Sequence, residues 1–362
     1  MEKKKRILVC PLDWGLGHAT RCIPIIRELQ NQGAEVIIAA DKRPMGLLKN
    51  EFPTAEFIVF PGYEISYPGN GNMALQMFKQ MPKIISGIYK ENQLLQEIIK
   101  KHNIDGVVSD NRYGLWSTRI PCIFMTHQIM IKCPGYFKLL EPVLYTINRL
   151  FMSRYSQCWI PDFEGSENLS GDLSHEYALP QNTFFIGPLS RFVLEDDTQK
   201  ETHFDLLVLL SGPEPQRSIF EYLILKQLLN TELKVLMIRG IPNAKSEMHP
   251  NKNIELKSHL NAGEMQEAIL RSDFILSRPG YSTIMDVVAL HKKAAFVPTP
   301  GQTEQKYLAA YHQAKGSFHY QQQHEFNLET LLVESANYKG MDLKQDTNAL
   351  KNRVTALLVR LS

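Results

Sequence analysis

Cysteine is scarce in this chain of 362 residues: Cys10, Cys22, Cys122, Cys133 and Cys158 are the whole set. Their number is odd, no pair is spaced CxxC, and all lie in the first half. That excludes a disulfide framework and a thiolate zinc site, and it suits a reducing cytoplasm. Long apolar runs are also missing. No window of about 18 residues is free of charge and polarity, so no transmembrane helix is expected. The basic start, Met1 to Arg6, leads into an apolar run that ends at Pro11 and Asp13, too short for a secretory signal. Charge of one sign is not in excess: a net charge of +2 gives no bulk argument for nucleic acid. Gly-x-Ser-x-Gly and the full phosphate-loop pattern are absent, against a serine hydrolase and an ATPase. No Asp-x-Asp follows a strand-like run and no His/Cys cluster has metal spacing, so no metal site is expected. Glu195-Asp196-Asp197 is acidic but lies in a charged linker. No internal repeat is visible.

What the chain has is a βα rhythm. Its length suggests two domains at roughly 100–200 residues each. Short aliphatic runs at Ile7–Pro11, Ala34–Ala40, Glu56–Phe60, Gly106–Ser109 and Cys122–Thr126 read as buried parallel strands. A helix is expected from Ala19 to Gln32 and a long amphipathic one from Met73 to Lys101. The rhythm restarts with strands at Leu206–Ser211, Lys234–Arg239, Phe274–Ser277 and Ala294–Pro298. Helices are expected at Gln216–Asn230, Gly263–Arg271, Thr283–Leu290 and Glu304–Ala314. Ser190–Phe204, with EDDTQKET at its middle, is the natural linker. The expected division is 1–190, a linker at 191–204, 205–345, and a terminal helix within 346–362 that returns to the first domain. Two such halves imply a doubly wound α/β architecture with a cleft between them.

Four motifs sit where strand-like runs end. Asp13-Trp14-Gly15-Leu16-Gly17-His18 follows the first strand. Gly15 and Gly17 let the backbone turn tightly, and the helix that opens there offers free N–H groups to an oxygen-rich ligand. A third glycine for a dinucleotide fingerprint is missing. A histidine side chain titrates near neutrality, so one at position 18 can take a proton from a hydroxyl. The plain reading is a tight turn whose histidine packs or caps. Ser277-Arg278-Pro279-Gly280-Tyr281-Ser282-Thr283, followed by Asp286, makes a diphosphate cradle at a helix start. Asp286 is placed to take ribose hydroxyls. A capping box of Thr283 with Asp286 accounts for those two residues but not for Arg278 or Gly280. Gln302, Glu304 and Gln305, after Pro298–Gly301, could bind sugar hydroxyls or be solvated. Ser211 and Gly212 could face a nucleotide, and their flanking prolines equally make a rigid turn.

Together these residues resemble family 28 glycosyltransferases, most of all the MurG-like ones, through both halves and most strongly from His259 to Ala310. The resemblance implies a GT-B fold of two Rossmann-like domains facing each other across a cleft. It implies that Met265 lies by the base, that Gly280, Ser282 and Thr283 hold the diphosphate, and that Asp286 takes the ribose where relatives have Glu. Gln302 to Gln305 would read the donor sugar. His18 would be the base on the acceptor loop, and His127 and Gln128 would lie on the acceptor side. Trp14, Asp13 and Leu16 depart from a mostly glycine loop, which leaves the acceptor open. The expected reaction is inverting transfer of a hexose such as N-acetylglucosamine from a UDP-sugar, as co-substrate, to a hydroxyl, without cofactor or metal. A lipid-linked acceptor, or a cell-envelope glycan precursor, is the implied partner. The rivals are a UDP-sugar epimerase of the same fold and a sugar-nucleotide-binding protein without catalysis. Two stretches rich in apolar and basic residues, Met73–Lys101 and Tyr136–Tyr155, could rest on the inner face of an anionic cell membrane or simply pack on a sheet. The expected location is cytoplasmic, with peripheral association through the first domain.

Overall fold

The computed structural model describes residues 4–62, 73–133, 135–192, 203–229, 231–241, 251–341 and 348–361, with backbone alone for 73–79 and 136. The linker centre, including Glu195-Asp196-Asp197, lies outside the described residues. The chain divides into two compact units, 1–191 with 345–362, and 192–344.

The first unit runs β1 (Arg6–Pro11), α1 (Leu16–Asn31), β2 (Glu35–Ala40), α2 (Lys42–Glu51), β3 (Glu56–Val59), α3 (Met73–His102), β4 (Gly106–Asp110), β5 (Cys122–Met125), α4 (Glu141–Met152), β6 (Gln157–Ile160), α5 (Asp172–His175) and β7 (Thr183–Phe185). Its seven strands are all parallel, in the order β3-β2-β1-β4-β5-β6-β7. The chain turns back on itself between β1 and β4, and there α/β sheets leave a crevice at the strand carboxyl ends. Leu8, Cys10, Ile37, Val107, Cys122, Phe124 and Cys158 form the centre of its core. Burial pushes the Cys10 and Cys122 thiols up to about 12, so these are inert core residues.

The second unit runs β8 (Phe204–Leu209), α6 (Gln216–Leu228), β9 (Val235–Ile238), β10 (Ile254–Lys257), α7 (Ala262–Leu270), β11 (Ser272–Ser277), α8 (Tyr281–Ala289), β12 (Lys293–Phe296), α9 (Thr303–Ala314), β13 (His319–Tyr320) and α10 (Leu328–Ser335). Its six parallel strands are ordered β10-β9-β8-β11-β12-β13, so its switch point lies between β8 and β11. The last helix, α11 (Asn348–Arg360), belongs to the first unit. Gln32 at the end of α1 donates to the Lys351 carbonyl, and Thr355 donates to Gln32 Oε1. Arg353 lies over the Phe184 ring, 3.9 Å from its centroid.

Two helix starts differ from the sequence reading, and both differences matter. Helix α1 begins at Leu16, with Gly15 as its N-cap and no side chain bonding the cap. His18 is therefore inside the first turn of the helix rather than in the loop before it. Helix α8 begins at Tyr281 with Gly280 as N-cap. Thr283 is thus a helical residue, and the capping-box account of Thr283 and Asp286 does not apply; the capping box of this unit is Asn261 with Glu264 on α7. Strands β6, β7, β10 and β13 were not read from the sequence: β7 and β13 have only three and two residues, and β6 and β10 break their apolar runs with Gln157, Glu255 and Lys257.

Candidate functional site

In the first unit the register sets the site. Pro11 on β1 lies beside Asp110 on β4. The chain leaving β1 turns through Asp13–Gly15 into α1, and the first turn of that helix places His18 over the end of β4. His18 Nδ1 is 3.0 Å from Asp110 Oδ2. Arg21, one turn on, reaches the same carboxylate through Nε, at 3.0 Å from Oδ1 and 2.9 Å from Oδ2, and through Nη2. Arg21 and Asp110 are both fully buried, which a charge tolerates only when paired. Burial works to raise the Asp110 carboxyl, but Arg21 and His18 outweigh it and hold it below the ordinary carboxylate range.

The partners determine tautomers. Arg21 Nη1 is 3.0 Å from His127 Nδ1. A guanidinium only donates, so neutral His127 accepts at Nδ1 and carries its proton on Nε2, as a donor and not a base. His18 Nδ1 lies between Asp110 Oδ2 and Arg21 Nη2, the latter at 2.9 Å. With a proton on Nδ1 it donates to Asp110 and Nε2 keeps a lone pair; with the proton on Nε2 it accepts from Arg21. The first form leaves Arg21 Nη2 satisfied, since Asp110 Oδ1 already receives it. His18 keeps a partly exposed side chain, whereas Asp110 is sealed. Gln128 follows His127 with its N–H on Thr126 Oγ1. Asp110 and Arg21 were missed by the sequence reading. The only signal was a carboxylate closing a buried run, which every strand end can show.

In the second unit the predicted donor residues gather at the strand carboxyl ends: Ser211 and Gly212 after β8, Gly280 after β11, and Gln302 after β12. Ser282 and Thr283 stand half-buried in the first turn of α8, and Asp286 half-buried one turn on. Met265 is half-buried on α7, and Glu304 lies in the first turn of α9. Gln302 caps α9 without a side-chain bond, while Gln305 Oε1 accepts the Thr299 N–H at 2.8 Å. The glycines divide into two kinds. Gly212 and Gly301 have φ of +107° and +85°, which the turns themselves demand. Gly280 does not: its φ is −70°, and a Cβ there would meet Thr283 Oγ1 at an ordinary 3.7 Å. Among the described residues the fold has room for alanine at Gly280, so neither backbone conformation nor packing accounts for this glycine at the α8 N-terminus.

Arg278 corrects the sequence reading. It points inward, not at a ligand. Nη1 donates to the carbonyls of Val297 and Pro298, at 2.8 and 3.1 Å, and Nη2 donates to Gln216 O and Gln323 Oε1, at 3.2 and 2.6 Å. The guanidinium stacks on Phe220, 4.1 Å from the ring centroid. Burial pulls its pKa down to about 10. Arg278 is a brace under the strand ends. No three His, Cys, Asp or Glu side chains group to hold a metal ion among the described residues.

Two parallel α/β units with this topology define a GT-B architecture. Residues 188–359 match the Glycosyltransferase family 28 C-terminal domain, so the matched region includes all of the second unit from Gly280 to Gln305. An uncharacterized glycosyltransferase of Methanosarcina acetivorans is 23% identical over 330 residues, covering 86% of this chain and 84% of its own. Among solved structures, the glycosyltransferase SnogD from Streptomyces nogalater superposes with a TM-score of 0.65 at 12% identity, covering 99% of this chain and all of its own. MurG of Acinetobacter baumannii superposes at 0.54 and 13%, covering 99% of this chain and 94% of its own. At such identities the structural likeness establishes the fold.

Proposed function

We propose that this protein is an inverting glycosyltransferase that moves a hexose from a UDP-sugar to a hydroxyl acceptor. The observation that carries it is the His18–Asp110 pair at the first unit's switch point. His18 Nε2 takes the acceptor O–H proton. The freed oxygen forms a bond to the sugar anomeric carbon while the bond from that carbon to the diphosphate breaks, its electron pair leaving with UDP. Asp110 orients the imidazole and stabilises the imidazolium. Attack opposite the leaving group inverts the anomeric centre. The uncapped N-terminus of α8 at Gly280, with Ser282 and Thr283, stabilises the departing diphosphate electrostatically. Asp286 takes the ribose, Met265 lies by the base, and Gln302, Glu304 and Gln305 read the sugar. Transfer on this scheme survives EDTA, and a strict requirement for manganese or magnesium would remove it. Incubation with a UDP-sugar panel and mixed acceptors separates the readings. Net transfer supports this one, sugar isomerisation without acceptor supports an epimerase, and binding without turnover supports a non-catalytic protein.

We also propose that the first unit meets an anionic lipid surface, and the supporting face is narrower than the sequence suggested. Ile88 on α3 is buried, and Leu144 and Phe151 on α4 are turned partly inward. Met77 and Phe78 lie outside the described side chains. What remains outside among the described side chains is Ile85 and Tyr89 on α3 and a stripe of Leu139, Leu140, Val143, Ile147 and Leu150 at α4, with Leu139 85% and Leu150 64% exposed. Exposed Lys138 and Arg149 flank it, as snorkelling cations would. Among the described residues no helix is long and apolar enough to cross a membrane. Co-sedimentation with anionic but not neutral vesicles, weakened by salt, is the expected result. Equal behaviour with both lipids overturns it.

A further inference from the structure

We propose that Asn148 on α4 is a positioning residue for the transfer: it fixes the chain at His127–Gln128, so that His127 stays on Arg21 with its proton on Nε2. This rests on the glycosyl transfer proposed above and adds to it a residue buried beneath the site. The chain leaves β5 as an irregular stretch, 127–133. Such a stretch ordinarily gives its backbone groups to water. Here three elements hold it. The Gln128 N–H donates to Thr126 Oγ1 at 3.0 Å. Asn148 Nδ2 donates to the carbonyls of Gln128 and Ile129, at 3.0 and 2.8 Å. The Met130 N–H donates to the Leu173 carbonyl of α5 at 2.9 Å, and Lys132 Nζ meets Asp172 and Glu176 at 2.9 and 3.0 Å. The Cys133 N–H donates to Glu141 Oε1 at 2.7 Å. Glu141 and Asn148 are both buried and stand about two turns apart on α4, so one face of that helix grips the stretch near both ends.

Asn148 has the decisive place among these contacts. It is 3% exposed, and both N–H groups of its amide are spent on two successive carbonyls. Carbonyls only accept, so the amide nitrogen must face them. Aspartate has the same shape and no donor at neutral pH. The two carbonyls follow directly on His127, whose Nδ1 is 3.0 Å from Arg21 Nη1. The same guanidinium encloses Asp110, the partner of the proposed base. Without Asn148 two buried carbonyls lose their donors, and the peptides carrying them turn to find water. That movement begins one residue from His127 and loosens the bond that selects its tautomer. A donor displaced by a fraction of an ångström is a poorer one for a reacting partner.

The test uses the full chain. Long-range proton–nitrogen NMR correlations on histidine-labelled protein read the His127 tautomer, and His127→Gln assigns the signal. Wild type is expected to show one species with the proton on Nε2, and Asn148→Ala a mixture of tautomers, with UDP affinity unchanged. Asn182 supplies the matched control: its Nδ2 donates to the carbonyls of Tyr155 and Ser156, at 3.0 and 3.4 Å, where β6 begins. Asn182→Ala is expected to lower the melting temperature and leave the His127 signal alone. With the acceptor that the panel identifies, Asn148→Ala should raise its KM about tenfold with a smaller change in kcat. Asn148→Gln, which keeps a donor, should recover part of this, and Asn148→Asp none; that pair carries the comparison if the alanine variant does not fold. The proposal is overturned if Asn148→Ala keeps the wild-type tautomer, if Asn182→Ala disturbs it equally, or if Asn148→Asp performs as well as Asn148→Gln. If wild type glycosylates no acceptor, the transfer reading falls, while the NMR comparison still decides whether Asn148 positions His127.

Discussion

The two units use one topology and opposite chemistry at their switch points. In the first, the strand ends hold ionised side chains: Asp110 is enclosed by Arg21 and His18, and His127 is tied to the same guanidinium. In the second, the fully buried Arg278 turns away from the strand-end surface, and the groups gathered there are glycine backbone, hydroxyls and a helix N-terminus, with Asp286 and Glu304 as carboxylates on the helix turns that follow. Proton transfer needs a titratable group with a fixed partner, and a departing diphosphate needs donors already in place. On the proposed transfer, each unit's own strand-end crevice suits its task because the side chains differ.

The sharpest way to break this comparison is to remove the base. His18→Ala should lower transfer by about 10²–10⁴-fold, the span of general base catalysis, with UDP affinity unchanged. A comparable loss of UDP binding would place His18 with the donor instead. Next in size are the two buried arginines. Asp110→Asn leaves Arg21 unpaired and should cost about 3–5 kcal/mol in denaturant unfolding, along with activity. Arg278→Met should likewise cost a few kcal/mol, roughly the scale of losing charged hydrogen bonds, yet leave UDP affinity of the folded protein nearly intact. Weakened UDP binding at unchanged stability would reverse the assignment of Arg278 as a brace.

Smaller effects sharpen the donor side. Asp286→Ala should weaken UDP by about 1.5–3 kcal/mol, as for a hydrogen bond to a charged group. Gly280→Ala should weaken UDP about tenfold, roughly 1.4 kcal/mol, without lowering the melting temperature. If it lowers the melting temperature instead, the glycine serves the fold. The smallest effect is in pH. Burial lowers the pKa of His319 in the second unit, against the opposing pull of Glu334, so the unfolded chain takes up its proton more readily. That stability is present above the ordinary histidine value of 6.5 and is lost as pH falls below it. Asp110 in the first unit is held below its ordinary 3.8, so its contribution persists until the pH falls past that value. Acid unfolding followed by hydrogen exchange should therefore loosen the second unit first, and His319→Gln should shrink the gap.

The βα rhythm, the pair of α/β units and the glycine-bearing strand ends were legible because each is local. Aliphatic runs such as Ile7–Pro11 and Phe274–Ser277 show burial on both faces, and a glycine beside them marks a turn or a close approach. His18 was legible for the same reason. Its partner was not. Asp110 lies 92 residues away, and only the pairing of Pro11 with Asp110 in the sheet brings the two within 3.0 Å. The direction of Arg278 was equally hidden. A cation in a Pro-Gly turn at a helix start has the composition of a phosphate ligand, and the carbonyls of Val297 and Pro298 with the Phe220 ring decide that it turns inward. Sequence sets which groups stand at a strand end; which of them face each other, and which face the core, follows from register and packing between segments far apart in the chain, where the burial of a charge is tolerated only if a partner is already there.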